Sequence, residues 1–463
     1  MQEKSKFHLL SSKEHVRIPF EMTGKFQIAN SKFQHIIRSM NADKNTPKWL
    51  DEGLQNIWLP YAQMQTAPTP LPVSHTSGTK IILDDGRELI DGISSWWSAC
   101  HGYNHPHIIS EMEKQLKIMP HVMFAGLAHK PAYHLANRLA KITPEGLNHV
   151  FFSDSGSVAV EVAMKMAAQY WHNKGDHKRN RFICFKNGYH GDTMGAMSLA
   201  DPDDGMHKAF TKYMPKQYVM EIPTGEYSLA EFEELLEGIS KTTAALIIEP
   251  LVQGAGGLKF YSADILAEIR RLCAKYEILF IADEIATGFM RTGSMFACDE
   301  AGITPDIMCV GKSLTGGAIG LAATIATDKV FDAFLSDNLE NALMHGPTYM
   351  ANPLACAAAN ASLDLFERED YISKIEAIEN QLREGLAPCK SLENVADVRV
   401  KGAIGVVQLK NADWGYMFEL REKFITKGVW LRPFGDIIYI MPAFTIENED
   451  LSKLTSTICK ILK

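Results

Sequence analysis

Ile278-Leu-Phe-Ile-Ala-Asp283-Glu284 and, further on, Ile307-Met-Cys-Val-Gly-Lys312 read as two buried strands, each running into a residue that can do chemistry. Short apolar runs rich in β-branched side chains and bounded by turn residues fit strands covered on both faces. Three similar runs precede them: Val150-Phe-Phe152, Arg181-Phe-Ile-Cys-Phe185 and Ala244-Ala-Leu-Ile-Ile248. The spacing predicts helices over Val158 to Trp171, Ala263 to Tyr276 and Pro353 to Phe366. Strands alternating with helices predict an α/β fold on a mainly parallel, mixed sheet. In such sheets ligands gather beyond the carboxyl ends of the strands. Asp283 and Lys312, 29 residues apart, are therefore expected to face one crevice.

Working outward, 463 residues exceed what one hydrophobic core usually organises, so a large domain and a smaller one are expected. Beyond residue 367 the texture changes to a charged helix, Ile372 to Leu386, and then to alternating segments such as Val398 to Leu409, which suggest α+β structure. The boundaries read as 47–110 and 367–463 for the smaller domain and 111–366 for the large one. Residues 1–46 are polar, poorly periodic and read as an extension, with Met40 a candidate natural start. With 46% apolar and 22% charged residues the chain is that of a soluble globular protein. A net charge of -8 argues against nucleic acid or anionic membranes as partners, and points to small molecules. No apolar run approaches the roughly 20 residues of a spanning helix, and the start lacks a secretory apolar block, so a cytoplasmic location is expected. Eight scattered cysteines, with no metal-ligand spacing, read as reduced and mostly buried thiols, and no metal is expected.

The candidate chemistry lies just after the strands. A lone carboxylate such as Asp283 behind a buried strand is unfavourable unless it meets a cation, and a protonated pyridine nitrogen is one; the alternative is an aspartate capping the next helix. Lys312 stands in Gly311-Lys-Ser-Leu-Thr-Gly-Gly317, and a buried lysine of lowered pKa can form an imine with an aldehyde. The Gly-Lys-Ser triplet superficially resembles a nucleotide loop, but Asp306 occupies the place of that motif's first glycine, which removes the reading. Ser153-Asp-Ser-Gly156-Ser157, between a strand and a helix, offers backbone N–H groups and a hydroxyl to a phosphate, or is a plain helix cap. Lys186-Asn-Gly-Tyr189-His-Gly-Asp-Thr193 places an aromatic ring between glycines, suited to stacking or to simple packing in a turn.

These segments follow one another with Glu249-Pro250, Gly288-Phe-Met-Arg-Thr-Gly293 and His345-Gly-Pro-Thr-Tyr349, and in this order they resemble the class III (ω-type) aminotransferases, enzymes of pyridoxal-5′-phosphate (PLP) fold type I, over roughly residues 50 to 445. Within the class, Ser95-Trp-Trp-Ser-Ala-Cys-His-Gly-Tyr-Asn-His-Pro106, Ser157-Val-Ala-Val-Glu161, Asp283-Glu-Ile-Ala-Thr-Gly-Phe289 and His345 to Pro353 resemble the branch that aminates 8-amino-7-oxononanoate with S-adenosyl-L-methionine in biotin biosynthesis. The resemblance implies Lys312 as the cofactor-bearing lysine, Asp283 as partner of the pyridine nitrogen and Tyr189 as the stacking ring. It also implies Gly156 and Ser157 as the phosphate cradle, and Gly346, Pro347 and Thr348 reaching the cofactor of a neighbouring subunit in a homodimer. Tyr61, Trp96, Trp97, Tyr189, Gly346, Arg432 and Tyr439 would meet substrate, with Tyr61 close to the chemistry and Arg432 suited to a carboxylate. For the tryptophan pair the alternative is core packing. The chain departs from the family's Trp-His-Pro-Tyr/Phe-Thr run, reading Trp58-Leu-Pro-Tyr-Ala-Gln-Met64. Rival readings are a class III enzyme using ornithine, 4-aminobutyrate or lysine, and a PLP-binding regulator without turnover. Trp96-Trp97 and Val429 to Phe434 weigh against the first, and the lack of a DNA-binding module together with Lys312 and Asp283 against the second.

Overall fold

The computed structural model describes residues 46–202 and 206–463; the candidate start at Met40 lies outside them. The chain forms two compact units, Met1–Val73 and Ser74–Lys463. In the described part of the first, Lys48–Leu54 form a short helix entered through Pro47, whose ring presets the backbone just ahead of the first turn. The departing run Trp58 to Met64 closes on itself, the Leu59 N–H pointing to Met64 Sδ at 3.3 Å.

The second unit is built on a seven-stranded sheet. Numbered along the chain within it, the strands are β1 (Leu147–Ser153), β2 (Arg181–Phe185), β3 (Tyr218–Met220), β4 (Thr243–Ile248), β5 (Leu279–Asp283), β6 (Ile307–Val310) and β7 (Ala322–Thr327). Their order across the sheet is β1-β7-β6-β5-β4-β2-β3. β7 alone runs against its neighbours β1 and β6, so the sheet is mixed and mainly parallel. The five strands predicted are all present; β3 and β7 are additional. Along β4 and β5 successive side chains alternate between two cores: Leu246, Ile248, Phe280 and Ala282 join one, Ala245, Ile247, Leu279 and Ile281 the other. Period-two alternation with apolar residues on both faces is what covers a parallel sheet on both sides.

The helix Gly156–Asn173 covers the second face, and Ala159, Ala163 and Ala167 let it lie close to the sheet. Thr324 and Cys309 both donate to the Ala159 carbonyl. This helix starts two residues before the Val158 expected, because Ser155 caps it, its Oγ accepting the Val158 N–H. Ala263–Lys275, Pro353–Arg368 and Tyr371–Leu386 are helical as the patterning predicts.

Two smaller sheets complete the unit. Val395–Lys401 and Ile404–Leu409 form a hairpin turning at Gly402, whose φ of +51° suits glycine, and Ile437–Ile440 extends it. Glu88–Asp91 pairs with Lys80–Leu83 on one side and, in parallel, with Val429–Trp430 on the other. That parallel pairing sets Asp91 opposite Trp430, two residues before Arg432. All eight cysteines are buried and unpaired as disulfides. Among the described residues no helix is long and apolar enough to cross a membrane.

Candidate active site

Five loops leave the carboxyl ends of β1, β2, β4, β5 and β6; those after β1, β2, β5 and β6 carry Gly156 with Ser157, Tyr189, Asp283 and Lys312, and the one after β4 carries Glu249. Asp283 closes β5 in register with Cys309 of β6, three residues before Lys312. The strand therefore delivers Lys312 beside Asp283, and a short 3-10 turn over Lys312–Thr315 starts at once, with Lys312 at φ +41°. Left-handed backbone at a lysine is unfavourable and persists only where surroundings impose it.

The Lys312 side chain is largely enclosed, and none of the described residues accepts a hydrogen bond from its Nζ. Its amine lies over the face of Trp97, whose ring centroid is 5.0 Å away. Burial pushes the ammonium below the usual 10.5, and the charges of Asp283 and Glu249 offset part of that effect. A buried amine of lowered pKa is the nucleophile that imine formation requires.

Asp283 is held from two sides. Oδ2 accepts from His190 Nδ1 at 2.7 Å, and Oδ1 from the Ile285 N–H at 3.2 Å. Burial presses His190 toward its neutral form, but the hydrogen bond and charge of Asp283, with the charge of Glu249, more than compensate, so its pKa is raised. A histidine donating to Asp283 fixes the carboxylate in place. Glu249, after β4, accepts the Tyr189 N–H at 2.9 Å and the Gly254 N–H at 2.8 Å. Burial raises its carboxyl to about 7 even so. His190 and Glu249 both lie inside the quoted motifs but are not expected from sequence in these roles; the signal is a glutamate directly after β4 and a histidine in the loop after β2.

The phosphate-type cradle lies at the start of the helix Gly156–Asn173, where the first amides have no partner within the helix. Ser157 Oγ accepts the Asp192 N–H at 3.1 Å, which leaves its own proton to donate. Contact here is tight. A Cβ on Gly191 would fall 2.2 Å from Ser157 Oγ, and one on Gly156 would fall 2.9 Å from Ile285 Cδ1. The Tyr189 ring lies 6.1 Å from that of His207, inclined by 24°.

Trp96 and Trp97 differ in setting. Trp97 is buried, edge-on to Tyr439 at 6.1 Å, whereas Trp96 is part-exposed and stacked on the Arg432 guanidinium at 4.2 Å. Stacking fixes the plane in which the arginine's donors lie, the plane along which a carboxylate binds bidentately. Tyr439 is 1% exposed, and burial pushes its phenol up to about 12. The structure thus brings Gly156, Ser157, Tyr189, Asp283 and Lys312 to one edge of the sheet, links Lys312 to Trp97 and Tyr439, and pairs Trp96 with Arg432. Gly346, Pro347 and Thr348 lie in a loop where Gly346 and Thr348 are exposed. Tyr349, the next residue, lines a 210 Å³ cavity with Ser153, Asp154 and Asn352. Tyr61 lies in the first unit, in a turn with φ +51°.

A buried lysine and a histidine-supported carboxylate beyond adjacent parallel strands, with an anion cradle at a helix start, fit PLP by the chemistry of their donors and define a PLP-dependent enzyme of fold type I. The chain belongs to the class III aminotransferases: the model of that family matches residues 61–462. It is 45% identical over 418 residues to the adenosylmethionine-8-amino-7-oxononanoate aminotransferase of Buchnera aphidicola from Schizaphis graminum, covering 88% of this chain and 95% of that one. The crystal structure of the enzyme of that name from Methanocaldococcus jannaschii superposes with a TM-score of 0.84 at 34% identity, covering 90% of this chain and 98% of that one. An amine transaminase from an uncultivated Pseudomonas species, solved in its PLP-bound form, does so at 0.79 and 30%, with the same coverage.

Proposed function

We propose that this PLP-dependent aminotransferase moves the amino group of S-adenosyl-L-methionine to 8-amino-7-oxononanoate, giving 7,8-diaminononanoate for biotin synthesis. The observation that carries the chemistry is the buried Lys312 amine, set against Trp97 and under the charges of Asp283 and Glu249. When bound, PLP supplies an aldehyde that takes up an amine and a protonated ring that withdraws electrons from the bond being broken.

The chain's residues prepare the rest. Asp283 would hold the ring nitrogen's proton, with His190 fixing the carboxylate. Gly156 and Ser157 would hold the phosphate through amides and a hydroxyl, and Tyr189 would stack on the ring. Lys312 would hold the cofactor through its amine and, as a base tethered beside the substrate, would move the proton at the substrate α-carbon. Arg432 takes the substrate carboxylate, while Trp96, Trp97 and Tyr439 enclose its apolar part and exclude water.

The active unit on this reading is a cytoplasmic homodimer, with Gly346, Pro347 and Thr348 reaching the neighbouring subunit's cofactor phosphate. Exposed Met344 and Tyr349 beside that loop support it, since large apolar side chains cluster where surfaces are covered.

The test is product formation. Purified enzyme supplied with 8-amino-7-oxononanoate and S-adenosylmethionine should form 7,8-diaminononanoate detectable by mass spectrometry. Formation with lysine alone would move the donor assignment, and no product with either would overturn the reading.

A further inference from the structure

Trp96 and Trp97 stand on backbone that L-residues rarely adopt. Ser94, Ser95, Trp96 and Trp97 have φ of 42, 51, 65 and 75°, four consecutive residues in the left-handed region with no glycine or asparagine among them. Ser95 and Trp96 have ψ of 51 and 47°, so the segment is a left-handed helical turn. The chirality of the Cα carbon disfavours each such residue, and left-handed residues normally occur singly. Something outside Ser-Ser-Trp-Trp must hold it.

The holder is at the end of the preceding strand. Asp91 is 1% exposed, and its carboxylate gathers three donors: the Ile93 N–H on Oδ1 at 2.9 Å, and the Ser95 N–H and Tyr103 O–H on Oδ2 at 2.7 and 2.6 Å. All three neighbours donate, so the ionised form fits and an amide in its place would turn an N–H toward another donor. Further ties are Ser94 Oγ donating to the Met441 carbonyl at 2.7 Å, Arg291 Nη2 to Ser94 Oγ at 3.3 Å, Ser313 Oγ to the Trp97 carbonyl at 3.3 Å, and the Trp97 N–H to the Ile93 carbonyl at 2.8 Å. Through its backbone Asp91 also sits opposite Trp430, on the segment that carries Arg432. One carboxylate therefore fixes the turn and lies beside the strand leading to its stacking partner.

We infer that Asp91 is a positioning residue of the substrate site. Its carboxylate holds the left-handed turn Ser94–Trp97, and the turn aims Trp96 at Arg432 and Trp97 at the Lys312 amine. The inference rests on the assignment of Arg432 and the tryptophans to substrate in the proposed function. Its expected signature is loss of substrate affinity with cofactor binding retained, because Asp283, Ser157 and Tyr189 depend on other loops.

The experiment compares holoenzymes of the parent, Asp91→Asn, Ser95→Gly and the double variant, each reacted with S-adenosylmethionine and separately with lysine, while the cofactor absorbance is followed. Asp91→Asn should keep the parent's cofactor absorbance and PLP affinity, yet lose about tenfold or more in kcat/KM, chiefly through KM. Glycine at 95 accepts φ +51° without strain, so the double variant should recover several-fold of the loss. A fold-stabilising role alone would lower PLP retention with activity and show no such recovery. An Asp91→Asn enzyme equal to the parent, or a loss that Ser95→Gly leaves untouched, would overturn the inference. Should Asp91→Asn fail to fold, Tyr103→Phe, which removes one of the three donors, decides: a raised KM at unchanged PLP affinity supports it, and an unchanged KM overturns it. A parent inert toward both amines would instead overturn the proposed function.

Discussion

At the scale of single residues, the site turns on how burial treats the Lys312 amine. Lys312 is pushed below 10.5 by burial, so the folded chain binds fewer protons there than the unfolded one between the lowered pKa and 10.5. Any stability that Lys312 contributes therefore rises with pH across that window, and its neutral, reactive form is populated well before an exposed lysine's would be. The rate at which apo-protein takes up PLP covalently should rise with pH to a midpoint below 10.5; a midpoint at or above that value would contradict the assignment. Replacing Asp283 by Asn removes the charge opposite the ring nitrogen and breaks the ionic pairing with His190. Its kcat should fall about 100-fold or more, measured as the single-turnover rate with donor. Both residues were legible in the sequence because each directly follows a buried strand. The His190–Asp283 contact was not legible: 93 residues separate the two, and only the adjacency of the β2 and β5 loops brings them together.

At the scale of elements, the parallel strands were readable where they are long and apolar. β4 and β5, buried along their whole length, carry the signal that β7 lacks, since Ala322-Ala-Thr-Ile-Ala-Thr327 is made of small residues that a helix tolerates as well. The left-handed turn at Ser94–Trp97 was invisible for a plainer reason. No residue type in it favours it, and each left-handed residue costs about 1–2 kcal/mol, which Asp91 and the long-range ties of Ser94 and Trp97 help to offset. The cradle between the β2 loop and the helix Gly156–Asn173 leaves no room for a side chain at Gly191, which also has φ +123°. Gly191→Ala should displace Ser157 and weaken PLP binding about ten- to a hundredfold, read by equilibrium titration of the apo-protein. Unchanged affinity would mean that Ser157 does not face the phosphate.

At the scale of the whole molecule, the loop Gly346–Thr348 exposes Gly346 and Thr348. A homodimer gives that loop a target. Light scattering should find twice the 51.6 kDa chain mass, and Thr348→Ala should weaken PLP retention about tenfold without removing Lys312's reactivity. A monomer that retains full activity at high dilution would contradict the shared site. The most direct measurement of the central claim uses holoenzyme and S-adenosylmethionine alone, with no acceptor. The absorbance of the lysine-bound cofactor should bleach to that of the aminated form, in an amount matching the enzyme, and return when 8-amino-7-oxononanoate is added. A cofactor band that ignores S-adenosylmethionine, or protein with no such band at all, would contradict it.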